Sequence, residues 1–338
     1  MKLRSIIFTL FIFFPFYINA QTESAAGLVR QAVELNSEGS HNRAIKLLKQ
    51  ALELDKNDLS AKYELAFAYL KTGNSKGAEK YSKQLLRQGD SLKLEAYLIL
   101  GAVYDLKGQS KKSLKIYDKA VHEFPGNSLA SFNLGLSYYN NNNMDMAEVC
   151  MIRSIDRDEN YASSHYLMSH IMLRKGETVK AMLSLYYFLL LEQDTPRTEE
   201  AYSMLEELWR SGVKNADGNR IVTIDSDASD FYKMIDLEIK LKSESYENKF
   251  EPDEKLKVFT ANTNMLFEAI SQKYKGRIGF WEHTYLDFFK ELNQKEFTDS
   301  FAYYISNTTF RPQVLVWLSD HYNEFNSFIN WFELYQHR

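Results

Sequence analysis

A chain of 338 residues exceeds one ordinary domain and fits two or three. With 45% hydrophobic and 25% charged residues and a formal net charge of −4, it has the composition of a soluble globular protein. This excludes a disordered tail or a basic coat for DNA or RNA, so no nucleic-acid partner is expected.

The first twenty residues stand apart. Lys2 and Arg4 precede an uncharged, mainly apolar run of 13 residues, Ile6 to Ile18, that carries Pro15 and ends at Ile18-Asn19-Ala20. Spanning a bilayer takes about 20 apolar residues, so the run has the layout of a secretory signal peptide cleaved after Ala20, with an uncleaved anchor as the alternative. Gln21, not Cys, follows the cut, so lipidation there is not indicated. Removing Lys2 and Arg4 would take the charge from −4 to −6. The expectation is an exported, periplasmic protein with no membrane span in its mature chain. Cys150 is the only cysteine, so no intrachain disulfide can form, and its place in an apolar helical stretch predicts a buried structural thiol.

From Ala25 to Gln193 the sequence repeats with a step of 34 or 35 residues. Small residues recur twelve apart: Ala32 and Ala44, Ala66 and Ala78, Gly101 and Ser113, Gly135 and Ala147, Ser169 and Ala181. Two three-turn helices joined by a short turn can pack closely only if the residues at their crossing are small. Leu65 and Tyr69, Leu100 and Tyr104, Leu134 and Tyr138, and Met168 and Met172 mark the buried stripe at i, i+4. Seven residues past each first small residue stand Gly39, Gly73, Gly108, Asn142 and Gly176, residues that tolerate the left-handed conformation closing a helix.

In these positions the chain resembles the tetratricopeptide repeat family. The third copy is the fullest match, with Tyr97, Leu100, Gly101, Tyr104, Gly108, Tyr117, Ala120 and Pro125 in the family's slots. Five repeats are counted, at 25–58, 59–93, 94–127, 128–161 and 162–196; the first is degenerate, with Gln31 and Leu35 in the Leu and Tyr slots. The resemblance implies an all-α, right-handed helical solenoid that binds a protein or peptide in a concave groove lined by the first helix of each repeat. The exposed slots there are Tyr63, Phe67 and Leu70; Leu98, Ala102 and Asp105; Phe132, Leu136 and Tyr139; and Tyr166, His170, Leu173 and Arg174. For any one of them, packing against the next helix is the alternative. Family members that clamp a peptide carboxylate use Lys and Asn where this chain has Val29 and Val33, so that activity is not expected.

Thr198 to Arg210 reads as a further amphipathic helix, in the place of a cap closing a solenoid at 25–210. Asp217-Gly218, followed by alternating β-branched residues, suggests a short hairpin within a linker at 211–227. Residues 228–338 show no repeat but carry helical aromatic stripes: Leu256, Phe259, Leu266, Ile270 and Tyr274; Trp281, Tyr285, Phe288, Phe289 and Leu292; Phe325, Phe328, Ile329, Phe332 and Tyr335. They predict a second, mainly helical module of five or six helices, with Pro252 and Pro312 near helix starts and the rings forming a core.

Motifs for chemistry are lacking. No two of His41, His122, His165, His170, His283, His321 and His337 have the i, i+4 spacing of a helical zinc site, and no nucleophile elbow or glycine-rich phosphate loop occurs. Gly276 to Gly279 lacks the third glycine of such a loop, and Lys273, Lys275 and Arg277 suit a solvated helix end. Asp225, Asp227 and Asp230 lack the glycine and terminal Glu of a calcium loop and read as turn and cap residues. No catalytic residue, metal or cofactor is expected. The leading reading is an exported scaffold, and a subunit of an envelope assembly, unstable alone, is a further reading. Its alternative makes the C-terminal module an enzyme or ligand sensor with the repeats as adaptor.

Overall fold

The computed structural model describes residues 24–88, 91–211, 213–216, 219–223, 230–244, 251–276 and 278–336. The leader, the Asp217-Gly218 turn, Asp225, Asp227, Arg277 and His337 lie outside them. The chain divides into two compact units, one up to Ile99 and one from Leu100.

Five helix pairs follow the 34-residue rhythm: α1 (Ala25–Ser37) and α2 (His41–Leu54), α3 (Leu59–Lys71) and α4 (Ser75–Gln88), α5 (Lys93–Leu106) and α6 (Ser110–Glu123), α7 (Ser128–Asn140) and α8 (Met144–Arg157), α9 (Ala162–Arg174) and α10 (Thr178–Leu191). Each first helix closes on a left-handed residue. Gly39, Gly73, Gly108, Asn142 and Gly176 have φ between 59° and 77°. The amide of the next residue reaches back to the carbonyl of Leu35, Tyr69, Tyr104, Tyr138 or Met172 at 2.7–3.0 Å, satisfying a helix-end acceptor. The starts of α3, α4, α7 and α8 are capped by side chains: Asp58, Asn74, Asn127 and Asn143 accept from the amide three residues on at 2.8–3.1 Å.

All ten small residues at the predicted crossings are buried. A Cβ on Gly101 would stand 2.4 Å from the Tyr117 ring, and one on Gly135 would stand 2.4 Å from Met151 Cε and 2.9 Å from Cys150 Cβ. The glycine backbones of α5 and α7 thus pack directly against side chains of α6 and α8. Cys150 is buried as expected, and that burial pushes its thiol pKa up to about 11, against free-thiol reactivity. In the first unit, Leu28, Ala32, Ala44, Leu48, Ala51, Ala61 and Leu65 form the core.

In the second unit the core is built on α10. From Ala181 to Leu190 every residue is buried, on all sides of the helix. A helix apolar all round must be surrounded. One side meets α9; the other is covered by helices from beyond the repeats. These are α11 (Pro196–Arg210), α12 (Asp230–Lys242), α13 (Pro252–Lys273), a π-helical turn (Glu282–Leu286) running into α14 (Asp287–Gln294), α15 (Thr298–Ile305) and α16 (Asn307–Tyr335). Tyr186 sits among Phe259, Phe267, Phe289 and Phe301, with ring centroids 5.4–6.2 Å away. Its hydroxyl accepts from Trp209 Nε1 at 3.2 Å and lies 2.9 Å from Thr263 Oγ1.

Among the described residues five helices follow α11. Strands β1 (Val213–Ala216) and β2 (Asn219–Val222) pair antiparallel, giving the expected short hairpin. Pro252 opens α13. Pro312 lies just past Phe310, whose φ of −125° interrupts α16, so the ring occupies the first turn after a break. The turn that closes the repeats recurs once more: Glu296 (φ 61°) links α14 to α15, with Phe297 N bonded to Leu292 O at 3.1 Å.

Two substitutions test these contacts by urea unfolding. Gly101→Ala should lower stability by about 1–2 kcal/mol through overpacking against Tyr117, whereas an uncrowded helical Gly→Ala change would raise it by about 1 kcal/mol. Glu296→Gly should raise stability by about 1 kcal/mol by removing a left-handed side chain.

Candidate partner-binding surface

The first helices carry the residues predicted for the groove, and each lies within its own unit. In the first unit, Tyr63 and Phe67 of α3 line a cleft of ≈ 520 Å³ with Val33, Asn36, His41 and Lys71. Asn36 organises it: its Nδ2 donates to Glu64 Oε2 at 2.8 Å and its Oδ1 lies 3.2 Å from His41 Nδ1. His41 meets Phe67 edge-on at 5.9 Å, and the Lys71 ammonium stands 5.4 Å from the same ring. Burial, with the nearby Glu64 and Glu95 carboxylates, raises the Tyr63 pKa and keeps its hydroxyl protonated. The cleft offers two rings, a hydroxyl, an acid and a base from α3, closed by residues of α1 and of the start of α2. Leu70 and Leu98 are half-buried in the same unit, and neither lines the cleft.

In the second unit the predicted residues form separate contacts. Tyr139 carries the Arg174 guanidinium over its ring at 4.1 Å, joining α7 to α9. Tyr166 meets His170 edge-on at 4.7 Å and Phe188 at 4.8 Å, and Arg197 stands 5.6 Å from its ring. Burial lowers the His170 pKa, Arg174 adds to the shift and Glu200 opposes it. Phe132 packs edge-on against Tyr161 at 5.2 Å, and Leu136 is half-buried. Asp105 accepts from Ser137 Oγ at 3.0 Å and from the Tyr117 hydroxyl, so it ties α5 to α6 and α7. Only Arg174 of the predicted set is more exposed than half-buried.

The periodicity does not reveal a polar network under these contacts. His165, fully buried, has Nε2 2.8 Å from the Glu159 carbonyl and Nδ1 2.8 Å from the Tyr285 hydroxyl. A carbonyl only accepts, so Nε2 carries the proton and Nδ1 accepts from Tyr285. Tyr187 stacks on His165 at 4.5 Å and donates to Glu159 Oε1 at 2.7 Å. Among the described residues no group of three or more His, Cys, Asp or Glu could hold a metal ion. No helix of the described residues is long and apolar enough to cross a membrane. His283 is exposed on the π-helical turn, whereas His321 lines a cleft on α16.

Family models for the tetratricopeptide repeat match residues 35–93, 95–127 and 130–161. Over these residues the helix pairs are tetratricopeptide repeats. Residues 162–196, which include the two-sided helix α10, lie outside the matched spans. Among solved structures, a tetratricopeptide protein of Thermus thermophilus is 20% identical over 55% of this chain and 98% of its own, with a TM-score of 0.47. MamA of Desulfovibrio magneticus is 21% identical over 57% and 98%, with a TM-score of 0.41. YrrB, described as a tetratricopeptide protein with an unusual peptide-binding site, is 23% identical over 54% and 93%, with a TM-score of 0.40. Comparison with curated proteins gives no match.

The His165 network gives a pH test. Burial lowers the folded pKa of His165 from the ordinary 6.5 to about 4. Below pH 6.5 the unfolded chain binds a proton that the folded chain refuses, so this group's contribution is whole above pH 6.5 and disappears as pH falls towards 4. The loss amounts to about 3 kcal/mol. Melting temperature should fall across that window, and His165→Gln should flatten the slope there; an unchanged slope would contradict the assignment.

Proposed function

We propose that the chain is an exported scaffold that holds a partner protein along the first helices of its tetratricopeptide repeats, without turnover. The carrying observation is the Tyr63–Phe67 cleft. Two aromatic rings at repeat-defined positions stay half-buried, beside Glu64 and Lys71. Tyr supplies interface anchors because it buries a large rigid ring at small entropic cost and keeps a polar tip, and Phe brings the same rigid ring without the tip. The apolar floor suits a short apolar or amphipathic segment, with the charged pair fixing its direction. Tyr139 with Arg174, and Tyr166 with His170, offer further anchors on the second unit. Membership of an envelope assembly belongs to the same proposal, as does a periplasmic site of action, which rests on the basic, apolar leader ending at Ala20.

Photo-crosslinking amino acids placed at Tyr63, Phe67 and Tyr139 should give defined partner adducts in cells, while placements at the exposed second-helix positions Lys80 and Lys119 should give none. Phe67→Ala combined with Tyr139→Ala should reduce capture of that partner at least tenfold with the fold retained. Adducts equal at all five positions would sink the groove assignment. N-terminal sequencing of the exported protein should begin at Gln21; a retained Met1 would contradict cleavage.

A further inference from the structure

The second unit carries a cleft that the repeats do not explain. It has a volume of ≈ 420 Å³, in the range of small-ligand sites, and it forms where the first turn of α13 faces α15 and the middle of α16. Two interruptions of α16 bracket the stretch that lines it. Phe310 (φ −125°, ψ 39°) and His321 (φ −119°, ψ 22°) leave helical geometry, so the stretch of α16 between them is a separate helical piece.

That piece presents an aromatic wall. Trp317 stacks on Tyr303 of α15 at 4.3 Å with planes 12° apart, and His321 stacks on Trp317 at 4.4 Å with planes 3° apart. Leu256, Pro312 and Val316 add apolar lining. Val316 and its neighbour Leu315 are 69% and 58% exposed, so apolar surface continues outward from the wall. Two carboxylates complete the lining, Asp253 at the start of α13 and Asp320 on α16, against a single lysine, Lys257.

The hydrogen-bonding capacity has a direction. His321 Nδ1 lies 2.9 Å from the Trp317 carbonyl, which only accepts, so that nitrogen carries a proton. The ionised groups of Asp253 and Asp320 only accept. Burial and the carboxylates of Asp299 and Asp253 raise the Tyr303 pKa, in keeping with a negative local potential. Tyr303 and His321 cover the two faces of Trp317, so no indole face is free for a cation, and recognition falls to the carboxylates, which match planar N–H forks. We propose that this cleft binds an organic cation with a flat donor-rich head, such as a guanidinium or amidinium group, with its N–H groups on Asp253 and Asp320 and its apolar body against Leu256, Pro312 and Val316. The assignment does not depend on the partner proposed for the repeats.

Benzamidine is the probe, with benzamide as its neutral counterpart and benzoate as its anionic one, each titrated into the purified full chain. The indole N–H signal of Trp317, assigned with Trp317→Phe, reports occupancy. Benzamidine should shift it saturably, benzamide should bind at least tenfold more weakly, and benzoate should leave it in place. Asp253 and Asp320 are both exposed, so Asp253→Asn with Asp320→Asn should keep the melting temperature and weaken benzamidine at least tenfold. Asp320→Asn alone should cost about threefold, close to the energy of one exposed charge pair. A capped Gly-Gly-Arg-Gly-Gly peptide and its citrulline counterpart separate the sources of the cation. Tighter binding of the arginine peptide than of benzamidine assigns a peptide-borne guanidinium, and the reverse assigns a free small cation. Equal affinity for benzamidine and benzamide, or no effect of the double variant, would overturn the proposal.

Discussion

Everything in the repeats depends on helices coming close enough to touch backbone to side chain. The crossings allow it because they hold Ala, Gly or Ser, all buried. At Gly101 and Gly135 even one added carbon would meet Tyr117 or Cys150 at less than 3 Å. Close crossings bury the i, i+4 stripe on one side of each first helix and leave its other side half-covered. Residues such as Tyr63, Phe67 and Tyr139 stand there. A surface for partners is thus a by-product of tight packing, and the glycine or asparagine closing each first helix keeps the geometry the same from pair to pair.

The second organising element is α10, which belongs to the fifth pair by its rhythm and to the C-terminal core by its burial. Its Tyr186, Tyr187 and Phe188 each face a different set of partners: Phe259, Phe267 and Phe301 for the first, His165 and Tyr285 for the second, Tyr166 for the third. The C-terminal aromatics are therefore the other half of a core that a repeat helix begins. The Tyr186 and Tyr187 hydroxyls trapped there are satisfied within it, by Trp209 and Thr263 on the first and by Glu159 on the second.

The repeats were legible because their period is long, their small residues fall in fixed slots, and the closing positions admit few residue types. The leading and closing helical stripes of residues 252–335 were legible for a similar reason. The part α10 plays was written in the run from Ala181 to Leu191, apolar but for Ser184, a sign of burial on all sides that pairing it with α9 alone does not use. The His165–Tyr285 bond joins residues 120 apart in sequence, and no local pattern announces such a contact. Asp105 occupies a groove slot by count, yet Ser137 and Tyr117 draw it into the packing between helices. Half of the aromatic cleft could be seen in the i, i+4 spacing of Trp317 and His321; Tyr303 and Asp253 arrive from other helices.

The close crossing itself is most directly read by NMR on a sample labelled at glycine and tyrosine. With the Tyr117 ring in contact with the Gly101 backbone, the Gly101 Hα protons should show strong nuclear Overhauser effects to the ring protons and ring-current-shifted resonances. Gly101 Hα signals at ordinary positions, with no Overhauser effect to Tyr117, would mean that these helices do not meet through their small residues.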